Sequence, residues 1–370
     1  MRRKLYSVSW FESRVLLLSF LVAVSGCKHV SEPPVVKSPR EYTWTIDTLA
    51  YPNSFQTSMR DIWGSSANDV YVVGHNDQAF GKMWHYDGSR WEPVRLHILE
   101  GGPLPNIGSL SAIYGFSAND IWAVGEKIFY NPNPPPNFLD SSLIIHYDGV
   151  KWSEYKVSGG RNLEAVSGRD ANDIWTCGWG GTLYHYDGHM WSKDSVPLMV
   201  APGGFYVLSA IEPGSANEVF LIGYVHVNEI ARTTYYFFQR EAGKWALRDS
   251  AVVGRDKIEI KWGVADLWVS PSGAIYSCGA GVYRWNGTKW VLMVDNPSYL
   301  SRITGTDDNN IFVVGHFGTV LHYNGVDWYQ FQQFKDPNAV LWGVWTDGRE
   351  VMIVGYTADY PQRTIVLHGK

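Results

Sequence analysis

Short runs of alternating apolar residues end in glycine at intervals along the chain, and the runs are copies of one another. Asp69-Val-Tyr-Val-Val-Gly74, Asp120-Ile-Trp-Ala-Val-Gly125, Asp173-Ile-Trp-Thr-Cys-Gly178 and Glu218-Val-Phe-Leu-Ile-Gly223 are the clearest, and weaker copies end at Gly279, Gly315 and Gly355. Twelve residues before the glycine stands Ile62, Ile113, Val166, Ile211, Leu267 or Ile303, and only in the last copy is the equivalent, Val344, one residue closer. Between these points lie Ser, Asn and Asp, whose side chains bond a turn backbone. A third strand closes in His-Tyr-Asp-Gly at His85, His146 and His185, and in His-Tyr-Asn-Gly at His322. A tryptophan then opens a fourth strand, at Trp91, Trp152, Trp191, Trp245, Trp290 and Trp328. Four short strands per repeat, with no helical period competing, predict an all-β seven-bladed β-propeller of four-stranded antiparallel blades. The seventh copy ends at Lys370 without its tryptophan, while residues 42–49 (YTWTIDTL) carry Trp44 and a fourth-strand alternation. The N-terminal strand is therefore expected to pair with the last blade and close the ring, which removes an open sheet edge.

The first residues are written differently. Arg2, Arg3 and Lys4 precede an apolar run, residues 15–24 (VLLLSFLVAV), that ends in Ser25-Gly26-Cys27. That run is short for a bilayer-spanning helix and suits a cleaved signal. Its end resembles the bacterial lipobox, which implies lipidation of Cys27 and a membrane anchor. Residues 28–40 (KHVSEPPVVKSPR) carry three prolines and no apolar period, the composition of an extended tether. The expected organisation is a signal peptide over 1–26, a lipidated tether over 27–40 and a single propeller over 41–370.

The Tyr-Asp-Gly-x-x-Trp turn resembles the Asp-box of sialidases and related propellers, although that box has one more residue between aspartate and glycine. With the lipobox, residues 42 to 370 look like the bacterial seven-bladed propeller lipoproteins, and more distantly like lipoprotein propellers that scaffold outer-membrane or photosystem assembly. The resemblance implies a lipid-anchored binding or scaffold protein of the bacterial cell envelope, at the outer membrane or cell surface. It brings no catalytic residue, because the Asp-box lies away from the active site in the proteins that carry it.

Composition changes the picture in two places. A formal charge of -5 without any Lys/Arg block argues against nucleic acid, which demands a basic face. Eighteen tryptophans in 370 residues suggest aromatic recognition, but repetition accounts for many of them as packing between blades. His85, His146, His185 and His322 occupy one position in different blades and radiate apart, so no metal site is expected from them. Cys177 and Cys278 stand where other copies have valine or isoleucine, and are expected as separate small core residues. No nucleotide loop, heme motif, zinc spacing or nucleophile elbow is present, and no cofactor is expected.

Where the copies differ in length is more informative. From the strand-two glycine to the closing tryptophan the spacing is 17, 27, 13, 22, 11 and 13 residues in the first six copies. The variation lies in the connection from strand two to strand three, and the connection between blades varies as well. Both emerge on one face of a propeller, so that face is expected to bind. Its variable loops are residues 75–83, 126–142, 179–181, 224–234 and 356–363. Together with residues along strand one, the candidate binding face is Arg60, Trp63, Tyr114, Glu164, Trp179, Glu212, Trp268, Arg302, Trp342 and Trp345, with a protein or a glycan as partner. The alternative is a glycoside hydrolase or lyase at the channel mouth, drawing a carboxylate pair from Glu164, Glu212, Asp61 and Asp266.

Overall fold

The structure, a computed structural model, describes residues 37–198, 204–214, 217–255 and 260–370. The expected signal peptide, Cys27 and the tether up to residue 36 lie outside the described residues. Among the described residues the strands form seven four-stranded sheets, each taken in chain order except the last. Thr57–Ser66, Ile107–Ser117, Leu163–Asp170, Gly204–Pro213, Asp266–Val269, Leu300–Asp307 and Ala339–Thr346 are the first strands of blades 1 to 7. Each touches the first strand of the blade on either side, all the way round. These seven strands therefore line a central channel, and the other strands of each blade extend outward from it.

The ring closes as the spacing of the tryptophans requires. Trp44–Leu49 lies antiparallel to Thr364–Gly369, with Trp44 opposite Gly369 and Leu49 opposite Thr364. Thr43 N–H donates to the Lys370 carbonyl at 2.8 Å, and Lys370 N–H returns the bond at 3.1 Å. The Trp44 ring meets Phe331 and Phe334 of blade 6 edge-on, at centroid distances of 5.4 and 4.7 Å. The final residues expected as tether are held against the propeller: Arg40 pairs with Asp327 at 3.0 Å, and Lys37 donates to the Lys370 carbonyl.

The strand-two glycine has a single cause. Opposite it, strand one carries a β-bulge in six of the seven blades, beginning after Met59, Leu110, Leu163, Leu208, Leu300 and Leu341. The bulge pushes strand-one backbone toward strand two. A Cβ on Gly74, Gly125, Gly178, Gly315 or Gly355 would lie 2.1 to 2.3 Å from a carbonyl oxygen in strand one or of the residue just before it, so no other residue fits. The seventh-copy slip falls in the turn from strand one to strand two. Blades 1, 2, 3 and 6 have a second bulge near the end of strand one; blade 7 lacks it and pairs Thr346 with Val351, while blade 4 lacks it too but pairs Pro213 with Val219 and keeps the spacing.

Two contacts repeat around the ring, one between blades and one within each blade. The closing tryptophan reaches back to the strand-two aromatic of the preceding blade in Trp152 on Tyr71, Trp191 on Trp122 and Trp245 on Trp175, and Trp290 reaches back to Phe237 on strand three. The repeated histidine stays within its own blade: Nε2 of His85, His146 and His185 lies 2.7 Å from the first carboxylate of strand two, Asp69, Asp120 and Asp173. Each imidazole stacks on the same strand-two aromatic, so the motif rigidifies a blade and gathers no metal ligands. Cys177 and Cys278 are both buried, in the clusters of different blades.

Inside the channel a third contact uses glycine. The Trp63 ring of blade 1 lies over Gly115 of blade 2, where a Cβ would stand 2.8 Å from the indole, and Trp268 of blade 5 lies over Gly305 of blade 6. Tyr114 of blade 2 donates its hydroxyl to the Gly168 carbonyl of blade 3 at 2.8 Å. Gly115→Val is expected to overpack this contact and destabilise the ring by about 2 kcal/mol. Urea unfolding would measure the loss, and an unchanged midpoint would refute the packing role.

Candidate functional site

The two channel ends are built from different positions of the same strand. The extra residue of each bulge, and its equivalent in blade 5, points to the mouth on the side of the variable connections. These residues are Arg60, Ser111, Glu164, Ser209, Ala265, Ser301 and Trp342, and all seven line a cavity of about 330 Å³. Three residues further along strand one, Trp63, Tyr114, Ser167, Glu212, Trp268, Thr304 and Trp345 line a second cavity of about 300 Å³ at the opposite end. Of the sequence candidates, Arg60, Glu164, Trp179 and Trp342 are thus brought together at one mouth. Trp63, Tyr114, Glu212, Trp268 and Trp345 are gathered at the other, away from the variable connections.

Arg302 stands between the two cavities and lines both. Its guanidinium lies 3.0 Å from Asp61 Oδ1 and 3.6 Å from Asp266 Oδ1. The other oxygens accept backbone N–H bonds from the next blade: Ile113 to Asp61 at 2.9 Å and Ile303 to Asp266 at 3.0 Å. Burial pushes Asp266 up to about 6 against the pull of Arg302, and raises Asp61 as well. The position just before the apolar strand-one marker is Asp61, Ala112, Ala165, Ala210, Asp266, Arg302 and Gly343 around the ring. One cation and two carboxylates among small residues therefore close the channel. The four carboxylates weighed for acid/base chemistry are all engaged. Asp61 and Asp266 share Arg302, Glu212 accepts from Ser167 at 2.7 Å, and Glu164 accepts from the Trp179 indole and from Asn162. Burial pushes Glu212 up to about 8.

The larger opening lies beside the mouth, over blades 1 to 3. It is an open groove of about 650 Å³. Sequence alone predicts a loop over 126–142, and the structure corrects this: the strands Asp120–Tyr130 and Phe138–Tyr147 run on as a ladder to the pair Tyr130 and Phe138. Only residues 131–137 turn. The extra length of blade 4 is likewise hairpin, from Val219–Val227 into Arg232–Glu241. The alternation continues in both, but the prolines and polar residues at the tip of the first conceal it.

The blade 2 hairpin stands as a wall with Ile128, Phe138, Leu139 and Asp140 against the groove. Its tip is exposed and apolar, with Tyr130 72% and Phe138 60% accessible. The floor is charged. Arg161 grips Asp140 at 3.0 Å, and with the Asn162 N–H it outweighs burial and holds the Asp140 carboxyl below its usual value. Glu126 and Glu164 are raised by burial, with Ser109 and Trp179 respectively as hydrogen-bond donors working against it. Burial, with Lys82 and Arg60 nearby, pushes His75 down to about 4, so the groove carries a neutral imidazole. Trp179 stacks on Phe205 at 5.8 Å, and Arg60 lies over Trp342 at 5.9 Å. Ser111, Ser209 and Ser301 are not among the sequence candidates. Each stands fourteen residues before its glycine, in register with Arg60 and Glu164, and that register was the available signal.

No family model matches the chain, and no curated protein matches its sequence. Solved structures do resemble it. A YCF48 bound to a D1 peptide superposes with a TM-score of 0.58 at 14% identity, covering 92% of this chain and 99% of that one. A YCF48 from Cyanidioschyzon merolae gives 0.57 at 13%, covering 87% and 98%. The WD40 propeller of Doa1 gives 0.55 at 11%, covering 89% and 97%. These likenesses establish the propeller fold alone.

Proposed function

We propose that the protein is a noncatalytic, lipid-anchored propeller of the bacterial cell envelope that holds a segment of a partner protein in the groove over blades 1 to 3. The observation that carries this reading is the groove itself: a charged floor beneath an exposed apolar hairpin. Tyr130 and Phe138 offer rigid aromatic area of the kind that anchors protein interfaces, and the paired charges beside them suit a polar rim. A YCF48 of the same fold bound to a peptide supports reading a propeller surface as a peptide seat. The engaged state of all four candidate carboxylates supports a binding role over hydrolysis. Anchoring rests on the lipobox at Cys27, with the membrane as the second partner.

A photo-crosslinking residue at Tyr130 is expected to trap a discrete partner in intact cells, and Phe138→Ser is expected to abolish the adduct. The control is Val150, 85% exposed in a turn between strands three and four, on the opposite face. Equal trapping at Val150 would sink the proposal. Cys27→Ser is expected to move the chain from the membrane to the soluble fraction, and unchanged sedimentation would refute the anchor.

A further inference from the structure

We infer that the channel mouth, which shares Arg60, Glu164 and Trp179 with the groove but not its hairpin wall, is a seat for one neutral pyranose unit of a saccharide. This rests on the reading above only in using the same face. At about 330 Å³ the mouth is at the small end of ligand pockets, the size for a single ring rather than a protein side-chain cluster.

The chemistry of the wall selects the ligand class. Ser111, Ser209 and Ser301 present hydroxyls from blades 2, 4 and 6, and Glu164 presents a carboxylate from blade 3. Between these polar groups stand the aromatic residues Trp179, Trp342, Tyr224 and Tyr299, with Val207 and Ala265 as the aliphatic lining. An apolar anchor would leave the Ser301 hydroxyl unsatisfied, at about 1–3 kcal/mol for a buried group. A simple ion would leave the aromatic faces unused. A pyranose matches both, because its C–H face packs on aromatic rings while each hydroxyl donates and accepts.

Charge sets a neutral sugar apart from an anionic ligand. Arg302 is already neutralised by Asp61 and Asp266, and Arg60 is balanced by Glu164, whose ionisation it favours. Two cations face three carboxylates, so no excess positive charge is left to hold an anion or the carboxylate of a zwitterion. Two donors also await an acceptor: among the described residues, the Ser301 hydroxyl, in a residue 7% exposed, and the Trp342 indole N–H have no hydrogen-bond partner. Both residues line the mouth.

The test is saturation-transfer NMR on the full chain with four probes, the methyl glycosides of glucose, galactose, mannose and N-acetylglucosamine. Transfer to the ring C–H protons of at least one is expected. Ser301→Ala and Trp342→Phe are each expected to weaken binding roughly tenfold, the effect of one lost buried donor. Ser301→Ala changes little volume, so it keeps the test open where the tryptophan variant fails to fold. Trp345→Phe, at the opposite mouth, is expected to leave binding unchanged. No transfer to any of the four, or transfer that survives both mouth variants, would overturn the inference. So would transfer to free glutamate in place of the glycosides, which would assign the mouth to a zwitterion. Phe138→Ser touches the groove alone and is expected to spare the glycoside signal, so failure of the protein-binding reading stays separate.

Discussion

Arg302→Met is expected to destabilise the propeller by about 3–5 kcal/mol near neutral pH, because it strands two buried carboxylates. The Asp61 and Asp266 side chains are 9% and 7% exposed, and the guanidinium is the cation both of them contact. Methionine keeps most of the side-chain length, so the loss reports charge rather than a cavity. The pH dependence identifies the cause. Burial already lifts Asp266 from 3.8 to about 6, so the folded state binds its proton more tightly than the unfolded chain does. That contribution to stability is present at low pH and lost as pH rises from about 4 to 6. Without Arg302 both aspartates shift further up and fold most readily when protonated. The deficit of the variant should therefore be large at pH 8 and small at pH 5, as read from urea unfolding at the two values. An equal loss at both would show that Arg302 acts by packing alone.

A chain that starts at residue 51 is expected to fail as a folded monomer. It lacks the fourth strand of blade 7, and with it Trp44 and the buried Leu49, which is 4% exposed. Removing the two side chains alone costs about 5–9 kcal/mol at typical values, comparable to the whole stability of a domain. The strand Thr364–Gly369 would also become an open edge, ready to pair with another chain. Size-exclusion chromatography should show oligomers or aggregate in place of monomer. A synthetic peptide of residues 41–50 added during refolding should restore the monomer, since the missing piece is one strand with a defined register. A truncated chain that stays monomeric with an unchanged melting temperature would refute closure as the source of stability.

The fold was legible because each repeat marks the same backbone constraints. Glycine stands where the bulge crowds strand two, aspartate where the turn needs a side-chain acceptor, and tryptophan where one blade meets the last. Closure by Trp44 followed from counting those marks. The site was less legible, because strand-one residues three apart look alike in sequence and face opposite ends of the channel. Alternation cannot place them while the bulge is hidden, since one extra residue reverses the sidedness of everything beyond it. Trp63, Tyr114 and Trp268 look like recognition residues for this reason, whereas each reaches across to a glycine of the next blade. The blade 2 hairpin was hidden differently: its tip, NPNPPPN, has the composition of a loop, and the strands on either side of it pair nonetheless.

The bulge has an evolutionary consequence. Its backbone is held by a glycine on the neighbouring strand, so the side chain of the extra residue takes no part in making the shape. Around the mouth that residue is already Arg60, Ser111, Glu164, Ser209, Ser301 or Trp342, a charge of either sign, a hydroxyl or an indole on the same frame. Recognition and folding are thereby separated into different residues. A new ligand preference needs only point changes at positions the ladder does not read, and duplicating a blade delivers another such position already aimed at the opening.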